Sequence, residues 1–248
     1  MSRDDSAKAS RHFDQELAEL RDLLLQMASL AEEQVRAALA SVKRRDAQTA
    51  QQAMERDREI DALEIDIEER TINLLARRQP MAVDLRMLVS TLKISNDLER
   101  VGDHAVNIAQ CARRLAEALP ISMPSELERM ADVATGMLRD SIEAFIERDV
   151  TLAREVLVRD DEVDRYNDAV FRLMLKEMSE NTNKLTSGLQ LMLVSRNLER
   201  IADLATNLAE DVIYIVEARS IKHHVREMKS ADEESPASDQ EAEGEWDQ

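Results

Sequence analysis

The sequence predicts an all-α protein built as two tandem antiparallel three-helix bundles, and three observations lead there. First, 248 residues contain only four Gly and four Pro. A sheet or alternating α/β protein of this length needs a turn residue near most of its connections, so eight breakers leave room for a few long elements. Second, aromatic residues make up only 2% of a chain that is 44% hydrophobic, against the aromatic and β-branched enrichment of strands. Third, apolar residues recur at three- and four-residue spacing over long stretches, the period of one helix face.

Six helices are expected. The first runs from about 8 to 45 on a stripe of Phe13, Leu17, Leu20, Leu24, Met27, Ala31 and Ala38. Asp46 reads as the N-cap of a second, which continues to Arg78 on Ile60, Leu63, Ile67 and Leu74 until Gln79-Pro80 breaks it. The third covers Met81 to Leu119, with Met87, Ile94, Leu98, Val101, Ala105, Ile108 and Leu115 inward, and Pro120 and Pro124 bracket the next break. Ser125 and Glu128 form an S-x-x-E capping-box pattern opening a fourth helix to about Arg148. Asp149 caps a fifth, to Glu180. A polar turn from Asn181 leads into a sixth, from Leu185 to about Glu227. Residues 230–248 hold eight acids and no Lys or Arg, and are expected to be disordered, since they lack apolar area to offset the cost of ordering. Trp246 lies in this tail.

The two sets of three helices are a duplication. Ser95, Leu98, Glu99, Arg100, Asp103, Ala105, Asn107 and Ala109 recur as Ser195, Leu198, Glu199, Arg200, Asp203, Ala205, Asn207 and Ala209. Upstream, Asp57-Arg-Glu-Ile-Asp61 mirrors Asp160-Asp-Glu-Val-Asp164. Matches in two helices of each half, in the same order, are the signature of a repeat. Residues 1–121 are therefore expected to form the first bundle, 122–229 the second and 230–248 the acidic tail.

Charge and cysteine usage narrow the function. A net charge of −18 disfavours nucleic acid and direct docking on anionic lipid, which call for basic patches. The single Cys111 cannot form an internal disulfide, and it reads as an inert thiol in a reducing compartment. The first residues lack the apolar core of a secretory signal and no run is long enough to span a bilayer. The expectation is a cytoplasmic protein.

Each repeat carries two acid pairs at i, i+4: Asp57/Asp61 with Glu99/Asp103, and Asp160/Asp164 with Glu199/Asp203. Such pairs lie one turn apart on one face, and bare like charges there cost a helix roughly 0.2–0.5 kcal/mol each. Glu99 and Asp103 point nearly opposite the core stripe, on a face shared with Leu85, Leu88, Val89, Leu92, Asn96 and Val106. Glu64 and Glu68 extend the ladder from Asp57 and Asp61. Four converging carboxylates per repeat suit hard cations such as Mg, Mn, Fe or Ca. Asn96, Asn107 and Asn207 offer accessory amide oxygens, and Gly102 (Ala202 in the second copy) leaves space beside the acids. The alternative is a solvated face neutralised by Arg56, Arg58, Arg100 or Arg200. His104 has Leu204 as its counterpart and reads as a surface or partly buried side chain, and His223-His224 as an exposed helix end. No phosphate loop, nucleophile elbow or zinc spacing is present, and the Glu-x-x-His of di-iron bundles is missing.

Arg77-Arg-Gln-Pro-Met-Ala-Val-Asp-Leu-Arg86, running into Asn96-Asp-Leu-Glu-Arg-Val-Gly-Asp-His-Ala-Val-Asn-Ile-Ala109, resembles the PhoU family of bacterial phosphate-signalling accessory proteins. The second Glu-Arg-Ile-Ala-Asp copy fits its two-repeat pattern, and the resemblance covers about residues 8–225. It implies two three-helix bundles with metal bound on E/D-x-x-x-D motifs, which here match Glu99/Asp103 and Glu199/Asp203. Asp57/Asp61 and Asp160/Asp164 are the adjacent pairs. It implies a homodimeric negative regulator of the phosphate-starvation response and of phosphate uptake that is not an enzyme, with which the absence of a catalytic constellation agrees. That regulator is a metal-binding adaptor between the phosphate ABC transporter's ATPase subunit and a sensor histidine kinase, recruited by them to the inner membrane face. The competing reading is a metal-independent interaction module whose acidic faces contact basic partner surfaces. The second repeat departs from the pattern, with Glu-Asn-Thr-Asn-Lys-Leu-Thr-Ser in place of the Arg-Gln-Pro-Met stretch.

Overall fold

The computed structural model describes residues 3–78 and 80–219. These residues are helical, with no strand among them. In chain order they form α1 (Arg3–Arg44), α2 (Ala47–Glu55), α3 (Asp57–Arg78), α4 (Val83–Glu117), α5 (Ser125–Glu147), α6 (Val150–Glu180), a single 3₁₀ turn (Thr182–Lys184) and α7 (Leu185–Glu217). The acidic tail, Trp246 and His223-His224 lie outside the described residues.

Helix starts follow local chemistry. Asp46 caps α2 by accepting the Gln48 amide at 2.9 Å and the Thr49 hydroxyl at 2.5 Å. These bonds favour the carboxylate and hold its pKa below the usual value. Asp149 caps α6 through the Thr151 and Leu152 amides. Each cap follows an arginine in the left-handed region, Arg45 (φ 53°) and Arg148 (φ 54°), so the two corners are copies. The capping box at Ser125 does not form. Pro124 is the N-cap, its carbonyl taking the Leu127 and Glu128 amides, and the Ser125 hydroxyl bonds Glu126 instead. The last helix also stops sooner than expected, at Glu217, where Ala218 (φ 58°) turns left-handed and returns its amide to Tyr214.

The expected second helix is two helices. At Arg56 (φ −71°, ψ −19°) the ladder slips to an i+3 bond, Glu59 N to Arg56 O at 3.0 Å. A helix end leaves carbonyls without an axial donor. Here the side chain of Gln34, fully buried on α1, reaches the Ala53 carbonyl at 3.1 Å. α6 runs unbroken through the matching position, Arg159.

The stripes read from the sequence are buried, among them Leu24, Met27, Ile60, Ile67, Leu98, Val101, Ala105 and Ile108. In the first repeat α1, α2 and α3 pack on α4; in the second α5 and α6 pack on α7. α4 and α7 also pack extensively on each other, and α1 touches α5, so the buried residues of both repeats form one continuous core. Polar bonds pin this central seam. Lys93 pairs with the buried Asp211 at 3.0 Å and lies 5.4 Å from the Tyr214 ring centroid, while His104 Nδ1 meets Asn197 Oδ1 at 2.9 Å. The Arg77–Arg78 end of α3 is tied to α1 through Glu16.

A shared core predicts that the repeats unfold together. Leu98→Ala and Leu198→Ala, one in each repeat, should each cost roughly 2–5 kcal/mol and shift a single urea transition. Two separable transitions, only one of which moves, would show instead that the repeats are independent.

Candidate metal-binding faces

α3 and α4 pack with their apolar stripes inward, so the opposite faces meet at the surface as a shared carboxylate patch. Asp57 and Glu99 are half-buried, and Asp61 and Asp103 are exposed. The electrostatics show the convergence. Burial pushes the Glu99 carboxyl up to about 7, and Asp103, Glu64, Asp61 and Asp57 push in the same direction. Asp57 is also raised, by burial first and then by Asp61 and Asp103 against the opposing hydrogen bond from Gln34. Two of the arginines that could have neutralised this face turn elsewhere: Arg100 to Asp97 at 3.4 Å and Arg56 to Glu33 at 3.1 Å.

Gln34 is the residue that pattern reasoning missed. Its Nε2 donates to the Ala53 carbonyl and, at 3.2 Å, to Asp57 Oδ1. Its Oε1 is buried without a hydrogen-bond partner. A signal was available: a glutamine sits among Ala31, Val35 and Ala38 on an otherwise apolar stripe. Gly102 explains itself here. A Cβ at 102 would lie 3.1 Å from Gln34 Oε1, 3.2 Å from Asp57 Oδ1 and 3.3 Å from Ile60 Cδ1, so glycine lets these oxygens crowd α4.

The second face has the same skeleton and different charge compensation. Glu199 and Asp203 are half-buried, as is Asp160, while Asp164 is exposed. Burial again raises Glu199, and Asp203 and Asp164 add to the rise, but Arg200 and Arg196 oppose it. Arg200 pairs directly with Asp203 at 2.9 Å. Asp160 and Asp164 each have interactions of their own.

Several expectations need correction or refinement. Leu88 is fully buried in the core and does not belong to the acid face. Leu85 and Val89 do remain exposed, at 42% and 37%. Asn96 donates to Glu64 at 3.4 Å. Asn107 is exposed and Asn207 half-buried, one turn beyond Asp103 and Asp203. His104 points into the α4–α7 seam. Burial raises the Cys111 thiol to about 11, so little thiolate forms near neutrality.

The first face offers the oxygen donors that a hard cation takes. Gln34 Oε1 and the surrounding acid groups are acceptors, and one of those acceptors is orphaned in the interior. Among the described residues, no three acid, His or Cys side chains stand close enough as they are to share one ion.

A model of the PhoU domain matches residues 24–112 and again 127–212. The chain belongs to the PhoU family. The double match marks the same duplication that the acid pairs and the Asp46/Asp149 caps reveal. A Clostridium acetobutylicum protein named phosphate-specific transport system accessory protein PhoU homolog is 37% identical over 210 residues, covering 84% of this chain and 96% of that one. The Caulobacter vibrioides homolog of that name is 41% identical over 201 residues, with 81% and 87% covered. The crystal structure of PhoU from Pseudomonas aeruginosa superposes with a TM-score of 0.81 at 36% identity, covering 84% of this chain and all of that one. The phosphate transport system regulatory protein PhoU from Streptococcus pneumoniae gives 0.78 at 28% identity, with 84% and 98% covered.

Two outcomes follow from this geometry. Gly102→Ala gains roughly 1 kcal/mol of helix propensity but crowds two oxygens and Ile60, so the expected net change in urea unfolding is a loss on the order of 1 kcal/mol. For Glu99 the folded-state pKa lies above the unfolded one, so its contribution favours folding below about pH 4.5 and is lost as pH rises through 7. Metal-free Glu99→Gln should therefore melt a few degrees higher than the parent at pH 8 and no higher at pH 4; equal differences at both would exclude the raised pKa.

Proposed function

We propose that this protein is a regulator of phosphate transport that holds the phosphate-starvation response off when phosphate is plentiful and limits phosphate uptake. It acts in the cytoplasm as a homodimeric, metal-loaded adaptor between the ATPase subunit of a phosphate ABC transporter and a sensor histidine kinase, which draw it to the inner face of the membrane. The naming of its relatives as accessory proteins of phosphate-specific transport supports the process. No helix among the described residues is long and apolar enough to cross a membrane, in keeping with recruitment by partners.

The observation that carries the adaptor reading is the first acid face with its uncovered apolar margin. Asp57, Asp61, Glu64, Glu99 and Asp103 converge, and Leu85 and Val89 continue the α4 side while Ile65 and Ile72 flank the α3 side, all exposed. Charge repulsion keeps such a surface from docking until it is neutralised. Asp57, Asp61, Glu99 and Asp103 would hold the cation, a hard Mg, Mn or Fe ion, which supplies compensating positive charge. The apolar margin then supplies contact area. One observation favours the rival in which basic partner residues do the neutralising without metal: the acids stand apart as they are.

The test is secreted alkaline phosphatase activity in phosphate-rich medium. Deleting the gene should raise it and the parent gene should restore low activity. Glu99→Ala/Asp103→Ala, if stably produced, should leave it high. Low activity after deletion would refute the regulatory role. Full complementation by the double variant would refute the acid face as the working surface.

A further inference from the structure

Building on the reading of the first face as a cation site, we infer that this chain's cation capacity resides in the first repeat alone. Gln34 serves that site as a neutral oxygen donor, and built-in arginines discharge the second face. The duplication supplies the comparison. The paired N-caps Asp46 and Asp149, the left-handed Arg45 and Arg148, and Asp57 with Asp160 set one register for the outer helices. In that register Gln34 corresponds to Met137 and Glu64 to Asn167. On the inner helices Asn96 corresponds to Arg196, Asp97 to Asn197 and Gly102 to Ala202.

Apart from Gly102/Ala202, these differences subtract oxygen donors or negative charge from the second face, or alter how its charge is met. Met137 offers a thioether, a poor partner for a hard cation, and it is fully buried. Asn167 removes a carboxylate and spends its Oδ1 on the Ser195 hydroxyl at 2.6 Å. Arg196 adds positive charge one turn from Glu199 and Arg200. The change at 97/197 redirects an arginine. Asp97 holds Arg100 at 3.4 Å on α4. Asn197 instead donates to the Leu193 carbonyl at 2.7 Å and turns its Oδ1 to His104. Arg200 is left to bind Asp203 at 2.9 Å.

Gln34 points the other way. Its amide orientation is set by its neighbours, because exchanging O and N would set the oxygen against two acceptors, Ala53 O and Asp57 Oδ1. Oε1 therefore faces Gly102 and the acids, fully buried and without a donor. A cation, directly or through one of its waters, satisfies Gln34 Oε1 and the carboxylates together. Glu199 also keeps one oxygen buried without a hydrogen-bond partner, so the number of bound ions is the deciding quantity.

The experiment is equilibrium dialysis of the chelator-stripped full chain against Mn²⁺, with bound metal read by elemental mass spectrometry. Glu99→Gln/Asp103→Asn should abolish tight Mn²⁺ binding, and Glu199→Gln/Asp203→Asn should retain the parent's stoichiometry. Gln34→Met, which copies the second repeat, should weaken Mn²⁺ binding roughly tenfold or more while keeping the parent's helical circular dichroism at the assay temperature, although losing the bond to the Ala53 carbonyl lowers its metal-free melting temperature. Arg196→Asn/Asn197→Asp should raise the amount of Mn²⁺ bound per chain, a gain that misfolding cannot mimic. Equal losses from the two acid double variants, or parent-like affinity in Gln34→Met, would overturn the inference while leaving the metal reading intact. Absence of Mn²⁺, Mg²⁺ and Fe binding by the parent would overturn both.

Discussion

The structure turns on a conflict between burial and charge. The apolar stripes of α3 and α4 must enter one core with α1, which leaves their polar faces side by side and brings Asp57, Asp61, Glu64, Glu99 and Asp103 together. Burying side chains such as Ile60, Ile67, Leu98 and Val101 is worth roughly 1.5–3 kcal/mol each. Like-charge terms between partly solvated acids are smaller. Packing wins, and the repulsion is held in the folded state as a surface that favours any positive partner.

The α4–α7 seam fixes where those surfaces lie. It joins the repeats through their innermost helices and is bolted by Lys93–Asp211 and His104–Asn197, so each acid face is on the outer flank of its own repeat. The bolts are not symmetric: Cys111 stands where Asp211 would be and Leu193 where Lys93 would be. The duplication supplied a frame whose two halves have since taken different side chains, and the acid faces differ in the same manner.

Most of this architecture was legible in the sequence, because long helices with few breakers leave a clear period and because Asp46 and Asp149 announce their caps. The acid pairs were legible for the same geometric reason, since i, i+4 spacing fixes a face. What escaped depends on tertiary contacts. The break at Arg56 has no Gly or Pro to mark it, and it is held by Gln34 from a different helix. The capping box at Ser125 failed because the proline before it already supplies the carbonyl and the extended backbone of a cap. Leu88 was placed outside by angular counting along one helix, yet it lies at the edge of the stripe, where neighbouring helices reach round to cover it. The pairing of Arg200, but not Arg100, with the face acids depends on whether position 197 or 97 is an amide or a carboxylate.

The central claim is that the first face gathers more negative charge than its own residues compensate. It is tested most directly by the melting temperature of the metal-free protein, titrated with Mn²⁺ and, in parallel, with NaCl at matched ionic strength. A bound ion stabilises by mass action, in proportion to the logarithm of its free concentration once above its dissociation constant, whereas screening depends on ionic strength alone. The account predicts that the Mn²⁺ curve climbs well above the NaCl curve. Coincident curves would contradict it and reduce the face to an ordinary solvated surface.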